Sequence, residues 1–222
     1  MQPVFSRIED ALEALASGLL VIVVDSEDRE NEGDFVAAAE LVTPEVIHFL
    51  ISHGRGQVCM PIPAQTAQRL QFNPMVAGLG KNMPNFTLPI DHVECLTGIS
   101  PVERCRTIQA IMDENSRPAD FACPGHMFPL IAREGGVLAR QGHTEASVDL
   151  VRLAGLRAGA VLCEICSGDG RHMARRDELL SIAHESRIPI TTIDALIDFR
   201  SREDRQSPIL NPAAGVQPIF VS

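Results

Sequence analysis

Apolar positions along the chain fall into two regimes, helical spacing and short solid runs. Ile8, Leu12 and Leu15 recur on one helix face until Gly18 ends the run, and Ser6 with Glu9 has the form of a capping box. Leu19–Val24 and Phe35–Ala39 are solid apolar runs, which read as strands buried on both faces. Thr43-Pro44 predicts an N-cap with proline in the first turn, opening a helix through Val46, Ile47, Leu50 and Ile51 to about Gly54. A short strand is expected over Gln57–Met60 and a helix or turn over Pro63–Leu70. Gln71–Pro89, rich in Pro, Gly and Asn, predicts a long loop of the kind that often serves as a lid, with Phe86–Leu88 beginning a strand at its end.

Ser100-Pro101 opens another helix, with Val102, Cys105, Ile108, Ala110, Ile111 and Met112 as its stripe up to Asn115. From Arg117, Pro118, Pro124, Gly125 and Pro129 predict irregular chain, with His126 between a Pro-Gly turn and Met127-Phe128. Gly135–Thr144 reads as a short strand that runs through a glycine turn into a helix carrying Ala146, Val148, Leu150, Val151 and Leu153. Thr144 falls at or near its N-cap and Gly155 closes it. Ala160–Cys166 is an apolar strand broken by Glu164; a helix over Asp177–Ser186, a strand over Ile188–Thr192 and a helix over Ile193–Arg200 follow. From Ser201 the Pro, Asn and Gly content predicts a weakly ordered C-terminal tail, residues 201–222. The expected architecture is a single α+β (α/β) domain over residues 1–200, three-layered, with a mixed β-sheet flanked by helices.

Composition narrows the functional classes. With 222 residues, 45% of them hydrophobic, the chain can fill one substantial core. A net charge of −10 and the absence of Trp and Tyr argue against a nucleic-acid partner, although local arginines can still hold a small phosphate ester. Met1–Asp10 does not resemble a secretory signal and no apolar run reaches membrane-spanning length, so no membrane partner and a cytoplasmic location are expected. The six cysteines are scattered and read as cytosolic thiols. Cys163 and Cys166 form a C-x-x-C inside an apparent strand, where their side chains point to opposite faces with no second pair following, which sets zinc aside.

The candidate chemistry starts with Asp25–Asp34, an acidic stretch between the two apolar runs. Asp28, Glu30, Glu32 and Asp34 occupy alternate positions, so an extended backbone would project all four from one face. Such a row is either a solvated loop or a site for a hard divalent cation. The helix start at Thr144 beside Arg140 is either an ordinary capped helix or an anion site, with His143 next to it as a possible metal ligand. Glu164 in its apolar strand requires a partner or a raised pKa. His126, a lone histidine, is either structural or catalytic.

Asp28-Arg29-Glu30-Asn31-Glu32-Gly33-Asp34, Pro124-Gly125-His126-Met127-Phe128-Pro129-Leu130, Arg140-Gln141-Gly142-His143-Thr144-Glu145-Ala146 and Val161-Leu162-Cys163-Glu164 occur in this order. With them the chain resembles the 3,4-dihydroxy-2-butanone 4-phosphate synthase family of riboflavin biosynthesis, from about Phe5 to Arg200. The resemblance implies conversion of D-ribulose 5-phosphate to the butanone phosphate and formate, with Mg²⁺ or Mn²⁺, in a homodimer whose active sites lie near the subunit interface. It also implies that Glu30 and His143 hold the metal, that Arg29, Glu30, Asp34, Arg140, Gln141, Gly142, His143, Thr144 and Glu164 surround the substrate, and that His126 and Glu164 are essential to catalysis. Glu32 and Asp34 are further candidates for proton transfer, while Asp25 and Glu27 are expected to be solvated charges.

The family pattern is not met everywhere. Met83-Pro84-Asn85 stands before Phe86-Thr87, Glu94-Cys95-Leu96-Thr97-Gly98 has lost one Thr, and Gln141 replaces a small residue. A paralogue acting on another sugar phosphate, or a non-catalytic divalent-cation-binding module, are therefore the alternatives. Some relatives carry a fused GTP cyclohydrolase II domain, for which 222 residues are expected to be too few.

Overall fold

The structure, a computed structural model, describes residues 4–78, 80 and 82–206, the side chains of 203–206 excepted. Helix α1 (Ile8–Ala16) leads into strands β1 (Val21–Val24) and β2 (Gly33–Ala38). Next come α2 (Pro44–Phe49), which continues as a π turn through Gly54, then β3 (Cys59–Pro63), α3 (Ala64–Arg69) and β4 (Ile90–His92). The chain continues through α4 (Pro101–Met112), β5 (Phe121–Ala132), α5 (His143–Leu153) and β6 (Ala160–Glu164). It closes with α6 (Arg176–Ser186), β7 (Ile190–Thr192) and α7 (Ile193–Gln206).

The strands form one sheet in the order β4-β5-β3-β6-β2-β1-β7. The pairs β1–β7 and β3–β5 are parallel and the others antiparallel, so the sheet is mixed. Successive strand residues point to opposite faces, and here each face is covered. Val21 and Val23 pack with Ile8, Leu15, Leu150 and Leu196 from α1, α5 and α7. Ile22 and Val24 pack on the other side with Ile47, Ile108 and Leu179 from α2, α4 and α6. The result is the three-layer arrangement that solid apolar runs demand, each fully buried aliphatic side chain contributing roughly 1.5–3 kcal/mol.

Thr43 and Ser100 accept the N–H groups of Val46 and Glu103, at 3.4 and 3.3 Å, as N-caps. Ser6 does not cap α1. That position belongs to Arg7, whose N–H and guanidinium both meet Asp10. Ser6 instead accepts the N–H of Ile190, tying the chain start to β7. The stretch after Arg117, expected to be irregular, contains the long strand β5. A proline loses its N–H but keeps its carbonyl, and that of Pro129 accepts the Thr87 N–H at 3.0 Å. Gly136–Leu138, expected as strand, is a 3₁₀ turn, because the Asp149 carboxylate accepts the Val137 N–H at 2.9 Å. Helix α7 continues to Gln206, past the Ser201 boundary expected for a tail, and residues 207–222 lie outside the described ones. All six cysteines are free thiols. Among the described residues no helix is long and apolar enough to cross a membrane.

Candidate active site

One end of the sheet gathers the chemistry. The end of β1, the start of β2, the end of β6 and the start of α5 meet there, and the acidic stretch folds between them. This stretch is not the extended row that alternation suggested. Residues 27–30 form a turn, Asn31 adopts a left-handed φ of 53°, and the loop winds around the Asp25 carboxylate. Asp25 accepts the N–H groups of Glu30 (2.9 Å) and Glu32 (2.8 Å) and pairs with the Arg29 guanidinium at 2.8 Å. It is buried, so its expected solvated role is corrected: it braces the loop. Glu27 is exposed and pairs with Arg176.

The turn splits the acids. Glu30, Glu32 and Asp34 line a cavity of about 230 Å³ together with Arg29, Arg140, His143, Thr144 and Glu164, with Cys59, Phe86, Leu130 and Leu162 as its apolar wall. Pro84 of the long loop also lines it. Asp28 lines a neighbouring cavity of about 510 Å³, lined also by Asn82, Gln141 and Asp194, and Arg29 and Arg140 border both. Gln141 is thus exposed beside the smaller cavity rather than lining it.

Asp34 and Glu164 are cross-strand partners in the β2–β6 ladder. Burial, and then the Glu164 charge, push the Asp34 carboxyl well above the usual carboxylate range. Burial and neighbouring Glu30 raise Glu32 as well. Glu164 accepts the Gln57 N–H at 2.7 Å, and Gly56 permits that approach, since a Cβ there would lie 2.6 Å from the same carboxylate oxygen. Burial also pushes the Cys163 thiol up to about 12, which makes it an inert core residue.

Helix α5 presents its N-terminus to the cavity. Gly142 is its N-cap, followed by His143 and Thr144 in the first turn. Arg140 is held by Glu145 at 2.7 Å and by the Asn82 carbonyl at 3.1 Å, and a Cβ at residue 142 would collide with its guanidinium. The glycine therefore lets an arginine pack against a helix start, a combination suited to an anion.

His143 is buried, and burial lowers its imidazole below the usual range, leaving the neutral form that binds metal ions. Its Nδ1 lies 4.0 Å from the Glu30 carboxylate, too far for a hydrogen bond and about twice the ~2.1 Å typical of a Mg²⁺–oxygen bond. Potential ligand atoms of Asp25, Glu30 and His143 all fall within 4.8 Å of one another. Asp25 already accepts three hydrogen bonds and Glu30 only one, from Arg29 at 2.7 Å, so Glu30 and His143 are the pair with more capacity left for a cation. A carboxylate facing a neutral imidazole fits a divalent metal.

The structure also brings in residues that motif reading missed. Arg175, at the N-cap of α6, donates to the carbonyls of Glu30 (2.6 Å) and Asn31 (2.7 Å) and lies 3.9 Å from Glu32, gripping the acidic loop from outside. His126 is not part of the cavity lining. It sits on β5 four residues before Leu130, about 13 Å away at the usual strand rise, and is paired with Asp91.

The family model for 3,4-dihydroxy-2-butanone 4-phosphate synthase matches residues 9–199. A riboflavin biosynthesis protein RibBA of Bacillus mycoides (strain KBAB4) is 52% identical over 201 residues, covering 90% of this chain and 50% of the relative. The chain thus spans about half the length of the curated relatives it matches. A crystal structure of RibBX, a two-domain 3,4-dihydroxy-2-butanone 4-phosphate synthase from A. baumannii, superposes with a TM-score of 0.85 at 45% identity, covering 88% of this chain and 58% of the other. A 3,4-dihydroxy-2-butanone 4-phosphate synthase in complex with two magnesium ions superposes with a TM-score of 0.84 at 35% identity, covering 90% and 99%. With the family match running almost the length of the described fold, the chain belongs to the 3,4-dihydroxy-2-butanone 4-phosphate synthase family.

Proposed function

We propose that this chain converts D-ribulose 5-phosphate to 3,4-dihydroxy-2-butanone 4-phosphate and formate in riboflavin biosynthesis, with Mg²⁺ or Mn²⁺ as cofactor. The observation that carries the reading is the one cavity in which a metal-binding pair, Glu30 and His143, lies with a carboxyl pair, Asp34 and Glu164, beside Arg140 and the α5 N-terminus. The relative that binds two magnesium ions supports the choice of metal.

A five-carbon sugar phosphate is isomeric with the sum of the four-carbon product and formate, so the reaction needs no external oxidant or reductant. The site has only to hold the phosphate, move protons and stabilise charge. Arg140 and the free N–H groups at Thr144 hold the phosphate. Glu30 and His143 hold the metal, which when bound supplies positive charge that eases loss of a carbon-bound proton beside a carbonyl. Glu164, fixed by the Gln57 N–H, takes that proton, and Asp34, whose hold on its own proton is tightened by burial and by Glu164, returns one. Glu32, raised less, serves the later transfers.

His126 enters through assembly. This chain's own His126 lies outside the cavity, so a part for it in catalysis requires a homodimer in which it would reach the neighbouring subunit's cavity. Exposed Leu88, Val93, Leu96, Ile99 and Val102 lie next to β4 and α4, where such a contact would bury them.

Pro84, at the point where the lid departs from the family pattern, lines the cavity and gives reason to test substrate choice directly. A panel of pentose and hexose phosphates, assayed for turnover with Mg²⁺, is expected to single out ribulose 5-phosphate. Turnover of a different sugar phosphate in its place would assign the chain to a paralogous activity.

A further inference from the structure

The strand β5 carries an irregularity that is tied to one carboxylate. Ile90 of β4 pairs with Met127, but the next residue, Asp91, pairs with Ala122, so Cys123–His126 loop out of the ladder as a bulge. Bulges re-aim side chains, and this one aims a histidine. Asp91 sits beneath it with both oxygens committed to His126: Oδ1 accepts the backbone N–H at 2.9 Å and Oδ2 lies 2.7 Å from the ring Nδ1. The Asp91 side chain is 12% exposed while that of His126 is 42% exposed.

Two glycines make this packing possible. Gly98, at a left-handed φ of 79°, closes over the carboxylate, where a Cβ would collide with Oδ2. Gly125 lies against the backbone of Ile90 and Asp91, where a Cβ would collide with the Ile90 carbonyl carbon. The Pro-Gly-His run and the Thr-Gly pair of the altered segment are therefore two walls of one clamp around Asp91.

We infer that Asp91 is a positioning residue for His126, holding the proton on Nδ1 so that Nε2, the ring nitrogen not engaged by Asp91, is presented as a proton acceptor. A carboxylate oxygen only accepts here, so the ring nitrogen facing it must carry hydrogen. The inference deepens the proposed function, since it rests on His126 taking part in proton transfer. It also gives Asp91→Asn a specific consequence. The His126 backbone N–H still requires an acceptor at the first position, which turns the amide nitrogen of the substituted side chain toward Nδ1. Nδ1 must then accept, and the ring proton moves to Nε2.

The experiment is ¹⁵N NMR of the histidine rings in the intact protein, combined with steady-state kinetics of Asp91→Asn and His126→Ala. Expected are an Nδ1–H tautomer for neutral His126 in the unaltered protein, an Nε2–H tautomer in Asp91→Asn, and a kcat lowered about 10- to 100-fold with little change in KM. An Nε2–H tautomer in the unaltered protein overturns the inference even if Asp91→Asn fails to fold. Unchanged kcat in a folded Asp91→Asn, with His126→Ala inactive, overturns it while leaving the role of His126 standing. Full activity in His126→Ala overturns the role of His126 itself.

Discussion

Glu30→Gln and His143→Ala are each expected to lose Mg²⁺ binding and turnover while keeping the fold. The metal's charge stabilisation is worth several kcal/mol in such reactions, so the expected loss in kcat is about 100-fold or more. The fold survives because the loop does not depend on these side chains. Its backbone is gripped from inside by Asp25, which accepts the N–H groups of Glu30 and Glu32, and from outside by Arg175, which binds the carbonyls of Glu30 and Asn31. Isothermal titration with Mg²⁺, a thermal melt and steady-state kinetics on the same samples separate the effects. Equal Mg²⁺ affinity and turnover in Glu30→Gln and the unaltered protein would remove Glu30 from the metal site.

Asp34→Asn is expected to abolish turnover and at the same time stabilise the protein above the ordinary carboxylate range. Folding raises the Asp34 pKa, chiefly through burial and then through Glu164, so the native state holds this proton more tightly than the unfolded chain does. Stability contributed by this group is complete below the unfolded value and falls as pH rises toward the folded one. The amide cannot ionise and escapes that loss. Every tenfold gain in proton affinity on folding corresponds to about 1.4 kcal/mol, and each kcal/mol to about 2–4 °C in Tm for a chain of this size. Melts in the presence of chelator should therefore show Asp34→Asn above the unaltered protein near about pH 8, with the gap closing near about pH 3. A Tm at about pH 8 below that of the unaltered protein would contradict the assigned electrostatics.

How much of this was legible in the sequence depends on whether the relevant interactions are local. The runs around β1, β2 and β6 and the caps at Thr43 and Ser100 were readable because burial on both faces and N-capping leave signals within a few residues. Glu164 stood out as an acid in an apolar strand, and its partner Asp34 lies opposite it in the ladder. β5 was hidden because Pro124, Gly125 and Pro129 are strong turn signals, and only β3 and β4 on its two sides make it a strand. The acidic stretch was misjudged in shape because alternation describes an extended chain, whereas Asp25 captures backbone N–H groups and turns the loop on itself. Asp91 and Arg175 left no local trace: their partners lie 35 and 144 residues away.

The same distinction separates the family assignment from the chemistry. Motifs in order, and a fold shared with solved synthases, establish the family, while the substrate and the metal rest on the residues that line the cavity. Glu103 holds the Glu94–Gly98 segment in shape. Its carboxylate accepts the N–H groups of Leu96, Thr97 and Gly98 and the hydroxyls of Thr97 and Ser100, and those bonds bring it down to about 2. The loop beside Asp91 is therefore held by a single carboxylate.

The most direct test is the release of formate from D-ribulose 5-phosphate, measured together with the four-carbon phosphate, with Mg²⁺ present and again after chelation. Equimolar formate and butanone phosphate, lost with chelator and restored by added Mg²⁺, is the predicted result; no formate at high enzyme concentration with excess Mg²⁺ would contradict it.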